Sequence, residues 1–217
     1  MFGLDAKLST VLGIALIFIA TTGGSALVYL IKGKLPDKVF KGIMGFASGV
    51  MMSAAIFSLL IPALDLSLDK YEGLKFPYFP AIIGLILGMI FLMVIDSLVP
   101  HLHPDLEKEG PKANLKQSTM LFLGISLHNI PEGLSVGLAF GVGLASGNYA
   151  LITSAAMLSV GIALQNFPEG AAVSLSYRQA GYSKTKSFLF GMFSGLIEPI
   201  FAVFGILLAT LFTSIMP

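Results

Sequence analysis

The sequence predicts an all-α polytopic membrane protein, a six-helix transmembrane bundle with an inverted repeat around its fourth and fifth helices. Three observations lead there. Hydrophobic residues make up 55% of the 217 residues, charged residues only 12%, and mean hydropathy is +0.88, whereas a soluble domain carries about 25% charge. The apolar residues are gathered into six runs, each long enough for the roughly 20 residues that a helix needs to cross about 30 Å of hydrocarbon. Two of the runs carry the same polar motif near their middles. A formal charge of +1 gives no electrostatic footprint for nucleic acid. With no cysteine there is neither a disulfide framework nor a thiolate, so a metal site here would use nitrogen and oxygen.

The predicted spans cover residues 8–31, 39–64, 79–99, 118–145, 149–177 and 187–216. The first is too long for the apolar core of a signal peptide and lacks a strongly basic leader, so it reads as a retained helix. Residues 100–117 form the longest loop of a single domain, 1–217. Spans four and five are joined by a short uncharged turn and therefore run antiparallel. Charge then sets orientation, because short cytoplasmic loops are enriched in Lys and Arg. Loops one, three and five with their flanks hold Lys32, Lys34, Lys38, Lys41, Lys108, Lys112, Lys116, Arg178, Lys184 and Lys186. The other side has Lys7, Lys70 and Lys75. Loops one, three and five are expected in the cytoplasm and both termini outside a cell (inner) membrane.

Helices in lipid associate through small residues, and glycine pairs in register predict close packing at Gly45 and Gly49, Gly84 and Gly88, Gly133, Gly137 and Gly141, and Gly191 and Gly195. Tyr29, Tyr71, Tyr78, Tyr149 and Tyr177 are candidate interface anchors. Asp65, Asp69 and Glu72 read as a solvated outer loop.

Three acids lie deep inside spans: Glu132, Glu169 and Glu198. Each ionised residue at that depth costs about 2.5–3.5 kcal/mol on insertion scales, so something must compensate them. Their surroundings repeat. Residues 124–133 read GISLHNIPEG and residues 161–170 read GIALQNFPEG, an offset of 37 residues. Equivalent motifs on antiparallel helices imply a pseudo-twofold axis in the membrane plane, where transporter sites lie. Within each motif the polar residues are three and four apart, so His128, Asn129 and Glu132 share a face, as do Gln165, Asn166 and Glu169. Pro131, Pro168 and Pro199 each lack an N–H and release the carbonyl of Leu127, Leu164 or Gly195. Imidazole, carboxylate and amide oxygen together select a divalent cation, with room for two ions bridged by Glu132 and Glu169.

Blander readings stand beside these. An isolated intramembrane His or Pro is usually structural, but duplication of Asn-x-Pro-Glu-Gly and a third buried Glu-Pro weigh against that. His101 and His103 either pass metal onward or are ordinary surface histidines. Asp96, near the end of span three, either snorkels or serves as an exit-side ligand. In function, an intramembrane metal-dependent hydrolase is the alternative to a carrier, and a non-catalytic helical scaffold is the third reading. A hydrolase needs an open coordination position, whereas three carboxylates and amides close around an ion, so transport without enzymatic activity is preferred.

The paired H-N-x-P-E-G and x-N-x-P-E-G motifs resemble those of the ZIP (Zrt/Irt-like) family of divalent metal transporters, especially its GufA-like bacterial branch. That resemblance implies metal uptake toward the cytoplasm, with Zn²⁺ as transported substrate, sometimes Fe²⁺, Mn²⁺ or Cd²⁺, and no organic cofactor; a homodimer is left open as a partner state. It implies that His128, Asn129, Glu132, Gln165, Asn166, Glu169 and Glu198 line a binuclear site, and that Met51 and Ser58 line the pathway. Many members carry His at the place of Gln165 and some Asp at that of Asn166, so this second half-site is less basic and less charged. The family usually has eight spans, and the last two have no counterpart among the six expected here.

Overall fold

The computed structural model describes residues 4–31, 36–73, 75–102 and 108–215. Lys32, Lys34, His103 and residue 216, at the end of the sixth expected span, lie outside the described residues. The first span starts where the Asp5 carboxylate accepts from the backbone N–H of Lys7 at 3.1 Å and Leu8 at 3.4 Å, an N-cap that satisfies two otherwise unpaired donors. Helix α1 (Ala6–Ala26) follows and ends in the 3₁₀ turn Leu27–Tyr29.

Span two is one long rod, α2 (Asp37–Ala54), a wide π turn (Ala55–Leu60) and α3 (Ile61–Lys70). Pro62 has no N–H to return to Ser58, which explains why the ladder loosens just before it. The rod outlasts the expected span, so Asp65 and Asp69 sit on exposed helix and not in a loop; Glu72 is in the turn beyond. Helix α4 (Phe79–Leu98) is span three. In the long loop, His101–Leu102 (β1) pairs antiparallel with Lys108–Glu109 (β2), a two-residue ladder.

Helices α5 (Gln117–Ser146) and α6 (Tyr149–Gln179) form the central hairpin. Its two-residue turn works because Gly147 takes the left-handed conformation at φ 62° and the Asn148 side chain caps α6 through the N–H of Ala150 and Leu151. Span six is broken. Helix α7 (Lys184–Gly195) stops at Leu196 and α8 (Ile197–Ile215) resumes, because Pro199 cannot bond back to Gly195. The break puts Glu198 in the first turn of α8, where unpaired backbone N–H groups favour a negative charge.

Ala6–Tyr29, Ser48–Lys70, Phe79–Leu98, Tyr149–Gln179 and Lys184–Leu211 are long and apolar enough to cross a membrane. Helix α5 falls outside that set because His128, Asn129, Pro131 and Glu132 dilute its hydropathy, yet its 30 residues reach about 45 Å. It packs against α8 and α6, and the fold is an all-α polytopic membrane protein.

Two helix pairs hold the bundle: α1 on α6, and α5 on α8. Both approach so closely that backbone meets backbone. A Cβ on Gly170 would lie 2.1 Å from the Thr21 carbonyl oxygen, and one on Gly133 would lie 2.3 Å from that of Glu198. A Cβ on Gly137 would likewise overlap the Ala202 carbonyl oxygen, and one on Gly24 that of Phe167. The small-residue expectation thus holds for Gly133, Gly137, Gly141, Gly191 and Gly195. It fails for Gly45, Gly49, Gly84 and Gly88, which face open space, because spans two and three lie outside the close-packed pairs and α4 packs chiefly on α3. Tyr177 is also corrected. It is fully buried and stacks on Phe190 at 4.2 Å instead of anchoring at an interface.

These contacts separate two groups of glycines by experiment. Gly137→Ala and Gly170→Ala are expected to lower the melting temperature of the purified protein in micelles by a shift equivalent to at least about 2 kcal/mol, since backbone cannot yield to a methyl. Gly84→Ala and Gly88→Ala should leave it within about 0.5 kcal/mol or raise it slightly.

Candidate metal centre

The central hairpin delivers the two motifs to one layer of the bundle. On α5 the buried positions Ile125, Asn129, Glu132, Val136 and Phe140 recur every three or four residues along one face. On α6 the equivalent stripe carries Gln165 and Asn166. Apolar clusters close the layer on both sides: Ile17, Val136, Phe140, Ile152 and Leu158 on one, and Met120, Ile125, Val173 and Tyr177 on the other. A polar group between them is desolvated and must find its partners within the layer.

Most of those partners are amides. Gln165 Nε2 donates to Glu132 Oε1 at 2.8 Å and to Asn166 Oδ1 at 2.5 Å. Asn166 Nδ2 in turn donates to Glu198 Oε2 and, at 3.4 Å, to the Ile17 carbonyl. The chain Glu132–Gln165–Asn166–Glu198 therefore runs from α5 through α6 to α8. Asn129 Nδ2 donates to the Ser194 carbonyl at 2.7 Å, near the break in span six. Glu132, Glu169 and Glu198 lie close enough for their charges to repel one another.

Within this layer, among the described residues, Asn129 Oδ1 and Glu132 Oε2 are buried without a hydrogen-bond donor. A desolvated oxygen without a donor costs about 1–3 kcal/mol, more if charged. Acceptor oxygens gathered with three acids suit a cation. In the arrangement seen, no three His, Asp or Glu side chains among the described residues meet as a ready-made ligand cluster; the amides stand between the acids.

The remaining predicted residues fall into clear groups. His128 is exposed on the outer side of α5. With Met51, Met93, Asp96, Pro131 and Glu132 it lines a cleft of about 350 Å³ between spans two, three and four. Glu169 is half-buried one turn beyond Gln165. Ser58 is elsewhere, in a separate cleft against Met157, Gly161 and Leu164. His101 is not a surface residue: it is buried, with Nδ1 2.8 Å from the Val99 carbonyl and Nε2 3.2 Å from Asp96 Oδ1. Asp96 itself is half exposed. One contributor escaped the sequence reading. Thr21 on α1 places its hydroxyl 3.3 Å from Glu198 Oε1; the polar run Thr21–Thr22 inside an apolar span was the available signal.

No family model matches the chain. Individual proteins do. It is 30% identical to the zinc transporter ZIP11 of Homo sapiens, over 91% of this chain and 79% of that protein. The family follows from that coverage. The chain belongs to the ZIP family. As a ZIP family member it is also 33% identical to the zinc transporter GufA of Myxococcus xanthus, over 90% of this chain and 75% of that protein. It is 31% identical to the zinc transporter ZupT of Enterobacter sp. (strain 638), over 58% of this chain and 51% of that protein.

The amide bridges can be tested without metal. Asn129→Leu leaves the buried Ser194 carbonyl without its donor, and should destabilise the purified protein by about 1–3 kcal/mol in thermal or denaturant unfolding.

Proposed function

We propose that this chain carries a divalent transition metal, Zn²⁺ first and with Fe²⁺, Mn²⁺ and Cd²⁺ as further substrates, across a cell membrane into the cytoplasm. The relatives named above are zinc transporters, and a ZIP family member of this kind is a carrier and not an enzyme. The observation that carries the proposal is the buried layer itself. Carboxylates joined through Gln165 and Asn166 share it with acceptor oxygens that no donor serves, and a divalent cation supplies the partner that both lack. His128, Asn129 and Glu132 form one half of a binuclear site, Gln165, Asn166 and Glu169 the other, and Glu198 closes it from α8.

The route follows from how unevenly the helices pack. Helices α1, α5, α6, α7 and α8 are locked by backbone contacts, while α4 and much of α2 are exposed. Between these two parts lies the cleft holding Met51, Asp96, His128 and Glu132. Thioether, carboxylate and imidazole along it offer successive ligands of moderate strength, so an ion enters the polar layer without full rehydration at each step. Loosely attached outer helices let the locked bundle rock and present the site to each side in turn.

In vesicles containing the reconstituted chain, Glu132→Ala and Glu169→Ala should each reduce Zn²⁺ entry about 100-fold or more. Flux equal to the parent's in both variants rules the mechanism out. Orientation has its own test. Because the chain has no cysteine, single substitutions label unambiguously: Lys112→Cys should react with an impermeant maleimide only from the cytoplasmic side, and Lys75→Cys only from outside.

A further inference from the structure

We propose that Thr21 of span one is a positioning residue for metal transfer, holding the Glu198 carboxylate in its ion-facing orientation through the hydroxyl. The inference rests on the metal-transport reading of the site and adds to it a contact from a helix that carries neither motif.

The geometry fixes which way the Thr21 side chain points. It is 1% exposed, and threonine in a helix ordinarily divides between two χ1 rotamers. Here a Cβ on Gly195 would lie 2.7 Å from both Cβ and Cγ2 of Thr21, so the methyl occupies the notch that the glycine leaves. With the methyl seated, the hydroxyl sits 3.3 Å from Glu198 Oε1 and 3.1 Å from the Ile17 carbonyl of its own helix. The other carboxylate oxygen is held by Asn166, which also reaches Ile17. Glu198 is thus gripped at both oxygens, by α1 on one side and α6 on the other.

A hydroxyl has one hydrogen and here has two acceptors. When a cation draws on Glu198 Oε1, the hydrogen turns to the Ile17 carbonyl, and no buried donor is left unpaired. When the ion leaves, it turns back and keeps the carboxylate from rotating away. A fixed, singly donating neighbour of this kind preorganises a ligand without competing strongly with the metal.

The inverted repeat explains why the partner is Thr21. The glycine ending each motif rests on one carbonyl: Gly133 on Glu198, Gly170 on Thr21. Thr21 therefore holds in span one the place that Glu198 holds in span six. The approximate twofold sets a hydroxyl opposite a carboxylate, so the layer has three acids and not four.

Zn²⁺ uptake kinetics in vesicles test this. Thr21→Val keeps the methyl and volume and removes the donor; it should raise KM about five- to tenfold with maximal rate within about twofold of the parent, the loss of one hydrogen bond to a charged group. Thr21→Ser retains the hydroxyl and should return KM to within about twofold. In a Glu198→Ala background, where the acceptor is gone, Thr21→Val should add no further change to residual uptake. If Thr21→Val fails to insert, Thr21→Ala carries the same expectation. A parent-like KM in the variant lacking the hydroxyl, or Thr21→Ser as impaired as Thr21→Val, overturns the positioning role. Failure here is distinct from failure of the transport reading: in the first case Glu132→Ala still abolishes uptake, in the second it does not.

Discussion

Backbone pressed against backbone at Gly133 and Gly170 is the constraint from which the rest of the structure follows. A methyl at either position would overlap a carbonyl oxygen of the neighbouring helix, so the motif helices sit nearer to spans six and one than any other residue would permit. Each glycine directly follows a motif glutamate. Close approach at the glycine consequently carries the preceding turn of helix, with its acid and amides, into the space shared with the neighbour. Lipid gives helices little hydrophobic reason to associate, and such contacts supply the packing that lipid does not.

Acids, amides and hydroxyls are tolerated at this depth because they form one connected layer. Amide groups with both donors and an acceptor stand between groups that only accept: Gln165 serves Glu132, and Asn166 serves Glu198. Apolar clusters on either side keep bulk water from screening the layer, which strengthens every interaction within it, attractive or repulsive. Removing water also makes the repulsion among three carboxylates a standing demand for positive charge. Under the proposed function, fold stability and cation binding draw on the same groups.

How much of this the residues announced depends on the kind of signal. Span positions followed from hydropathy, since each apolar run is bounded by charges or turn residues. The 37-residue repeat located the polar layer, because Asn-x-Pro-Glu-Gly on antiparallel helices leaves few other geometries. Glycine spacing alone did not tell packed faces from open ones: Gly84 and Gly88 have the same interval as Gly133 and Gly137 but no neighbour. What distinguishes them is tertiary, namely which helix lies opposite. The break at Leu196 was hidden for a similar reason. A proline directly after a glutamate can kink, cap or merely bend a helix, and only the surrounding bundle decides. Thr21 escaped notice because a hydroxyl in a span usually bonds its own helix, as this one also does through Ile17.

Under the proposed function, Glu132, Glu169 and Glu198 are ligands to one shared pool of cation. Anomalous diffraction from crystals soaked in Cd²⁺ tests it most directly. The expected result is one or two strong peaks inside the layer, with carboxylate oxygens of at least two of the three acids at coordination distance. A peak confined to the outer cleft at His128, with the acids still joined only through Gln165 and Asn166, would contradict it.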